Sequence, residues 1–399
     1  MIQTENEVKK YDFVLFENAY DIENHYKDLS LLAKILKKAG YTVAIANVFK
    51  EAELCLDTDI PHIDLKYKCP RRFSILRKYR KTVSSFSFHL NRLLHSLYLV
   101  YVIIALRKNA SNFYIGSLTT YTPVLFLCFL PRKNNYFIWG LRSYTLTKWA
   151  NSKYDTLTFT SWLRERRIKN HRNVKLIVSN EVIREEFISI GIKRDRTLYR
   201  PERWIAEGER ILDDKKVNDR LTNILSIGTL RRSKHVEYAI EALQKINDKS
   251  IVYTIAGRCK DTNGYEAMIT EKSKGMPNVV RKNYFIDDNE YVQLFKECDF
   301  LLLCDEPEPS CGSNGTMLES IMVGRPLIAP NHSPFKEEIE RFGVGILYDL
   351  NDINSLVVAL NKAKELKSLY FKENIKKYQE FISERNIINS LIKELSIII

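Results

Sequence analysis

Four successive apolar residues, Phe13 to Phe16, are followed by a polar stretch and then by Leu29, Leu32, Ala33 and Leu36 at helical spacing. Gly40 closes that helix, and a second apolar run, Thr42 to Val48, begins just beyond it. The opening therefore reads as a β-α-β unit, the building block of parallel sheets. Further apolar runs at Asn112 to Ile115, Tyr136 to Trp139 and Lys175 to Val178 extend the same sheet. Leu176 to Ile192, LIVSNEVIREEFISIGI, predicts a strand, a Ser/Asn cap and a helix ended by Gly191.

Around Arg200 to Thr222 the apolar period is lost, and beyond it the rhythm restarts. Strands are predicted at Ile224 to Ile227, Ile251 to Ala256, Phe300 to Leu303, Leu327 to Ala329 and near Gly345 to Tyr348. Helices fall at Val236 to Ile246, Tyr265 to Lys274, Glu290 to Glu297 and Thr316 to Val323, and from Ile353 onward the chain is helical and Lys-rich. The expected fold class is α/β with two doubly wound domains. An N-terminal domain covers 1–205, a linker 206–221 and a second domain 222–375, with helices of 376–399 packing back on the first.

A length of 399 residues suits two cores, and 45% hydrophobic with 28% charged residues is the composition of a globular chain. Seven scattered cysteines without a C-x-x-C pair point to reduced thiols and away from structural zinc. The first residues lack the features of a secretory leader. Leu93 to Leu106 is apolar but too short to span a bilayer, and Phe113 to Pro131 is broken by Gly116, Thr122 and Pro123.

Charge changes the picture more. Leu65 to Tyr154 contains sixteen Lys and Arg and no Asp or Glu, so the chain's +13 resides there and the remainder is slightly acidic. Its densest part, Lys66 to Lys81, interleaves Arg71, Arg72, Arg77 and Lys78 with Phe73, Ile75, Leu76 and Tyr79, a pattern suited to an anionic membrane surface. A solvated helix face and a nucleic-acid surface are the alternatives for such a stretch, but no recognised nucleic-acid module accompanies it.

Chemistry is sought beyond the carboxyl ends of the strands. After Ile227 come Gly228 and then Arg231, Arg232 and Lys234 just before a helix, cations beside free helix N-H groups that suit a diphosphate. After Leu303 come Glu306 and Glu308, the small-residue run Gly312, Ser313, Asn314, Gly315 and Thr316, and a helix bearing Glu319 one turn in. Small residues let backbone amides approach a phosphate or sugar, and a carboxylate accepts hydrogen bonds from a ribose diol.

In order and spacing, ILSIGTLRRSKHVEYAIEAL, YTIAGR, VVRKNYFIDDNEYVQLFKECDFLLL and GSNGTMLESIMVGRPLIAP resemble the donor domain of the family 4-like glycosyltransferases, the glycosyl transferases group 1. The resemblance covers about residues 223 to 365 and implies the GT-B fold, two Rossmann-like domains facing across a cleft. It places Lys234 at the diphosphate, Glu319 at the second glutamate of an E-x7-E motif that contacts ribose, Gly312 to Thr316 over the phosphate and donor sugar, and Tyr284 to Ile286 near the nucleobase. Two positions depart from the family: Cys311 stands for the first motif glutamate, and Thr229 for an arginine.

The implied activity is transfer of a sugar from a UDP- or GDP-sugar to a glycan or polyprenyl-diphosphate-linked acceptor in surface-polysaccharide synthesis. It would occur at the cytoplasmic face of a membrane, without nucleic acid, metal or other cofactor. Glu17 and Asp21, after the first strand, are the candidate catalytic acids, with Glu23 and His25 nearby. The Asp57-Thr58-Asp59 triplet lacks the context of a metal site. A sugar-nucleotide epimerase on the same scaffold and a non-catalytic nucleotide binder remain alternatives.

The basic stretch generates a test. Vesicles containing anionic lipid are expected to carry the protein in flotation, and neutral vesicles to leave it behind. Neutralising Arg71, Arg72, Arg77 and Lys78 removes about 1 kcal/mol per charge and abolishes flotation, whereas equal binding in every case excludes the membrane role.

Overall fold

The computed structural model describes residues 10–16, 22–49, 59–69, 94, 97–116, 130–139, 170–189, 191–201, 203–206, 221–260, 263–307 and 314–398. The chain divides into two compact units, Met1–Arg200 with Ile388–Ile399, and Pro201–Ile387.

The first unit holds a parallel seven-stranded sheet. Its strands are β1 (Tyr11–Phe16), β2 (Val43–Phe49), β3 (His62–Cys69), β4 (Ala110–Ile115), β5 (Asn135–Trp139), β6 (Val174–Val178) and β7 (Thr197–Tyr199), in the order β3-β2-β1-β4-β5-β6-β7. Helices α1 (Ile22–Lys38) and α2 (Glu181–Ser189) supply crossovers, and a further helix runs through 97–106. That last helix buries Leu99, Val102, Ile103 and Leu106 while leaving Leu97 and Ile104 exposed, the one-sided burial of a packed surface helix. β3 was not anticipated: HIDLKYKC has too little apolar content to read as a strand, and it forms by pairing with β2 at the sheet edge. The basic stretch begins in its last residues, 66–69; Arg71, Arg72, Arg77 and Lys78 lie outside the described residues.

The second unit holds a parallel six-stranded sheet of β8 (Thr222–Ile227), β9 (Ile251–Ala256), β10 (Val279–Lys282), β11 (Phe300–Leu302), β12 (Leu327–Pro330) and β13 (Gly345–Tyr348). The order is β10-β9-β8-β11-β12-β13. Around it lie α3 (Val236–Ile246), α4 (Tyr265–Lys272), α5 (Asp288–Glu297), α6 (Gly315–Met322), α7 (Phe335–Phe342), α8 (Ile353–Leu366) and α9 (Lys372–Phe381), and the last helix, α10 (Glu384–Ile398), begins in this unit and ends in the first. Burial on both faces explains why β11 and β12 are continuous apolar runs without alternation.

Against the expected bounds at 205 and 222, the division falls at Arg200–Pro201. Of the terminal helices, α9 belongs with the second unit: Tyr378 stacks on Phe342 at 4.0 Å, and Gln379 donates to the Ile321 carbonyl. The chain crosses back within α10. Leu391 and Leu395 are buried there, and Glu394 meets Arg184 and accepts from the Tyr199 N-H.

Both sheets are clasped at their amino ends by short polar side chains. Asn112 donates to the Asp12 carbonyl and accepts from Asn135, while Asn278 donates to the Ile251 carbonyl and Asp299 accepts from the Asn223 N-H. These bonds satisfy buried groups where strands enter the sheet. In each unit the strand order reverses beside the first strand, between β1 and β4 and between β8 and β11. At such a switch point the crossovers leave in opposite directions, and the carboxyl ends stay open.

At the carboxyl end of β8 the backbone turns against that of β9. A Cβ on Gly257 would lie 2.0 Å from the Gly228 carbonyl oxygen, and Gly257 itself has φ +126°. Gly257→Ala is therefore expected to cost roughly 3 kcal/mol through combined overlap and backbone strain. Urea unfolding measures it, and a cost within error of zero would mean that the two turns separate readily.

Candidate functional site

The site is assembled from the turns that leave β8, β11 and β12. After β8, Gly228 takes φ +113°, and a Cβ there would stand 3.9 Å from the Lys234 ammonium, so the cation lies over the glycine. A 3-10 turn, Arg232–Lys234, leads into α3, with the Lys234 N-H donating to the Arg231 carbonyl. Arg232 sets its guanidinium over the Tyr265 ring at 5.5 Å, while Arg231 is exposed at the start of the turn. Lys234 is 3.8 Å from Asp305, which follows β11.

That post-β11 segment is tied to the same turn. The Glu306 N-H donates to the Ser233 carbonyl at 2.9 Å, and His235 Nε2 is 2.6 Å from Glu306 Oε1. The other ring nitrogen, Nδ1, is 3.1 Å from Glu237 Oε1, and Glu237 also accepts from the Tyr265 hydroxyl at 2.5 Å. Burial pushes His235 toward deprotonation, but its bonds to Glu306 and Glu237 outweigh that and raise its pKa. From β12, His332 Nε2 lies 2.9 Å from the Asp305 carbonyl. Three crossovers are thus stitched into one polar edge.

Helix α6 supplies the second part. Asn314 caps it, its side-chain oxygen accepting from the Met317 N-H, and Gly315 and Thr316 form the first turn, half-buried like Asn314. Among the described residues nothing lies within 4 Å of where a Cβ on Gly315 would stand. One turn on, Glu319 accepts from the Tyr291 hydroxyl and lies 3.5 Å from Arg203. Burial first, and the Glu319 charge second, raise the Tyr291 pKa, which keeps it a hydrogen-bond donor. Arg325, buried just after α6, donates to the Phe295 and Lys296 carbonyls and so fixes the end of α5, the helix that carries Tyr291.

After β10, the segment 284–286 also lies at this carboxyl edge. Ile286 packs on the core, Phe285 is 81% exposed, and Tyr284 donates to Glu290, which also pairs with Lys282.

The structure thus joins Lys234 to Asp305, and Glu319 to Tyr291 and Arg203. Of the other expected residues, Glu17, Asp21, Glu308, Cys311, Gly312 and Ser313 lie outside the described residues, as does Asp57. Asp305, Tyr291, Arg203, His235 and His332 were not singled out from sequence. Adjacency to Lys234 was the available signal for His235, whereas Tyr291 and Arg203 reach Glu319 only through tertiary packing. Among the described residues no group of three His, Cys, Asp or Glu is arranged to hold a metal ion, and no helix is long and apolar enough to cross a membrane.

A lysine over a glycine at the sheet switch point and a glutamate one turn into the helix after β11 are the pieces expected of a sugar-nucleotide site, and residues 209–381 match the family model Glycosyl transferases group 1. The C-terminal unit belongs to that family. Such a domain makes the protein a glycosyltransferase, an enzyme of class EC 2.4.

No curated protein matches the chain in sequence. Among solved structures, HepE of Anabaena in complex with UDP is similar over 96% of this chain and 99% of its own, at 12% identity and a TM-score of 0.67. The lipopolysaccharide outer core galactosyltransferase WaaB is similar over 97% and 99%, at 15% identity and a TM-score of 0.65. The N-terminal domain of Candida albicans trehalose-6-phosphate phosphatase is similar over 99% of each chain, at 13% identity and a TM-score of 0.67. At such identities the likeness establishes the GT-B fold, and the diversity of names shows that fold alone does not select the reaction.

The two contacts of Glu319 are unequal. Tyr291→Phe removes a half-buried donor from a carboxylate and is expected to cost about 1 kcal/mol in urea unfolding. Arg203→Ala, where Arg203 is 48% exposed, is expected to cost less than about 0.5 kcal/mol. Equal costs would show that the exposed pair holds the glutamate as firmly as the half-buried hydroxyl.

Proposed function

We propose that the second unit binds a nucleoside-diphosphate sugar at the carboxyl edge of its sheet. The protein then transfers the sugar to a glycan or polyprenyl-diphosphate-linked acceptor in surface-polysaccharide assembly. The observation that carries the reading is the Lys234 ammonium lying over Gly228 at the β8/β11 switch point. An anion there meets a cation, the start of α3 and a backbone unobstructed by a side chain.

In this reading Lys234, with Arg231 and Arg232 flanking it, balances the diphosphate and stabilises it as the leaving group. The bond from the anomeric carbon to the β-phosphate oxygen breaks, and a bond from that carbon to the acceptor oxygen forms. The acceptor's proton passes either to a base of the first unit, for which Glu17 and Asp21 are the candidates, or to the departing phosphate oxygen. These cations take the place of a metal ion, so turnover is expected to survive a chelator.

Glu319 accepts hydrogen bonds from the ribose diol, with Tyr291 orienting it, and Gly312 to Thr316 cover the phosphate and sugar. Ile286 and its neighbours flank the base. The HepE complexes with UDP and with UDP-glucose favour a uridine nucleotide as the first to try. WaaB, acting on lipopolysaccharide outer core, favours a surface glycan as acceptor. The basic stretch from Leu65 to Tyr154 suits an acceptor displayed on an anionic membrane, approached from the cytoplasmic side.

A thermal-shift panel of UDP, GDP, ADP and CMP with their common sugars tests the donor site. A ligand at about 100 times its dissociation constant adds about 2.7 kcal/mol to the stability of the wild type. Lys234→Ala and Glu319→Ala are expected to lose that response. No response of the wild type to any nucleotide refutes the proposal.

A further inference from the structure

His235 occupies an unusual position on the same turn. Its backbone is left-handed (φ 37°, ψ 38°) at the N-cap of α3, a conformation uncommon outside glycine and found for histidine mainly where surroundings enforce it. The ring is held on three sides. It stacks on Tyr238 at 4.7 Å and 16°, and each nitrogen faces a carboxylate, Glu306 at 2.6 Å and Glu237 at 3.1 Å.

A neutral imidazole has one N-H and one lone pair, so with anions at both nitrogens one contact would set a lone pair against a carboxylate oxygen. Only the imidazolium donates to both. The groups around it are Lys234, Arg232 and Arg231 from its own turn, Glu237, Tyr238 and Glu241 from α3, Tyr265 from α4, and Cys304, Asp305 and Glu306 from the segment after β11. Adjacent residues therefore pair with adjacent residues, Lys234 with Asp305 and His235 with Glu306, and the Glu306 N-H on the Ser233 carbonyl closes the seam.

We propose that His235, held as an imidazolium between Glu237 and Glu306, is a positioning residue for Lys234, and that nucleotide-sugar affinity falls as His235 loses its proton. This rests on the donor-site reading above. The charged ring fixes the turn from which Lys234 projects. It also offsets two carboxylates that would otherwise repel a diphosphate from this edge. Because proton and donor favour the same state, binding the donor strengthens proton binding by the same factor. Affinity is therefore full below the His235 midpoint of the ligand-free protein, declines as pH rises through it, and levels off above the midpoint of the complex.

Isothermal titration of UDP-glucose, GDP-mannose and ADP-glucose into the full-length protein between about pH 5.5 and 9 tests this, because the phosphate diesters of these probes do not titrate in that range. The wild type is expected to lose affinity on the order of 10-fold across the transition. His235→Asn, which tolerates the left-handed backbone, binds at the weaker level with a flat profile. Glu306→Gln moves the midpoint to lower pH. Long-range proton-nitrogen spectra of the ligand-free wild type are expected to show His235 as an imidazolium at neutral pH.

A flat wild-type profile, a wild-type profile retained in His235→Asn, or a neutral His235 tautomer at neutral pH would each overturn the proposal. If none of the three probes binds the wild type, the donor-site reading falls and this role with it. The spectrum of His235, which needs no ligand, keeps that failure distinct from a failure of the imidazolium bridge.

Discussion

Parallel strands all end at the same edge, and every crossover must leave from there. In the second unit this constraint acts most strongly between β8 and β11, where the strand order reverses and the crossovers diverge. Gly228 and Gly257 let two strand ends turn against each other without side chains, and that close approach leaves the space Lys234 occupies. Much of the site geometry follows from that packing of two glycines.

The two edges of the sheets serve different ends. At the amino edges, asparagine and aspartate side chains satisfy backbone groups and clasp neighbouring strands, which contributes stability. At the carboxyl edge of the second unit, charge is concentrated. Lys234, His235, Asp305 and Glu306 form paired contacts between turns, while Glu319 is held by Tyr291 in the next crossover. Opposite charges in these pairs hold the turns without exhausting the cation, because the Lys234–Asp305 separation of 3.8 Å is looser than a direct hydrogen bond. An arriving diphosphate would compete with Asp305 for Lys234 on favourable terms, carrying more charge.

Legibility from sequence differed between elements for physical reasons. Strands β11 and β12 are buried on both faces, and β8 and β9 nearly so, so their apolar residues could be read directly. β3, β7 and β10 could not: HIDLKYKC, TLY and VVRK carry little apolar signal and exist because a neighbouring strand offers hydrogen bonds. Lys234 and Glu319 were legible as residue types placed at strand and helix ends. Tyr291 and Arg203 were not, since one lies on a helix 28 positions before Glu319 and the other far upstream, and nothing local marks either.

By itself the sequence determined the alternating β/α rhythm, the two-domain plan, the basic acid-free stretch and the cations that follow Gly228, because each is written in spacing or composition within a short window. Tertiary structure alone decided which strands are neighbours, where the chain passes between units at Arg200 and within α10, and which carboxylates meet His235 and Lys234. Those outcomes depend on hydrogen bonds and ion pairs between residues as far apart in the chain as Arg184 and Glu394. Their strength comes from partial burial and fixed geometry, and both exist only once the sheet has formed.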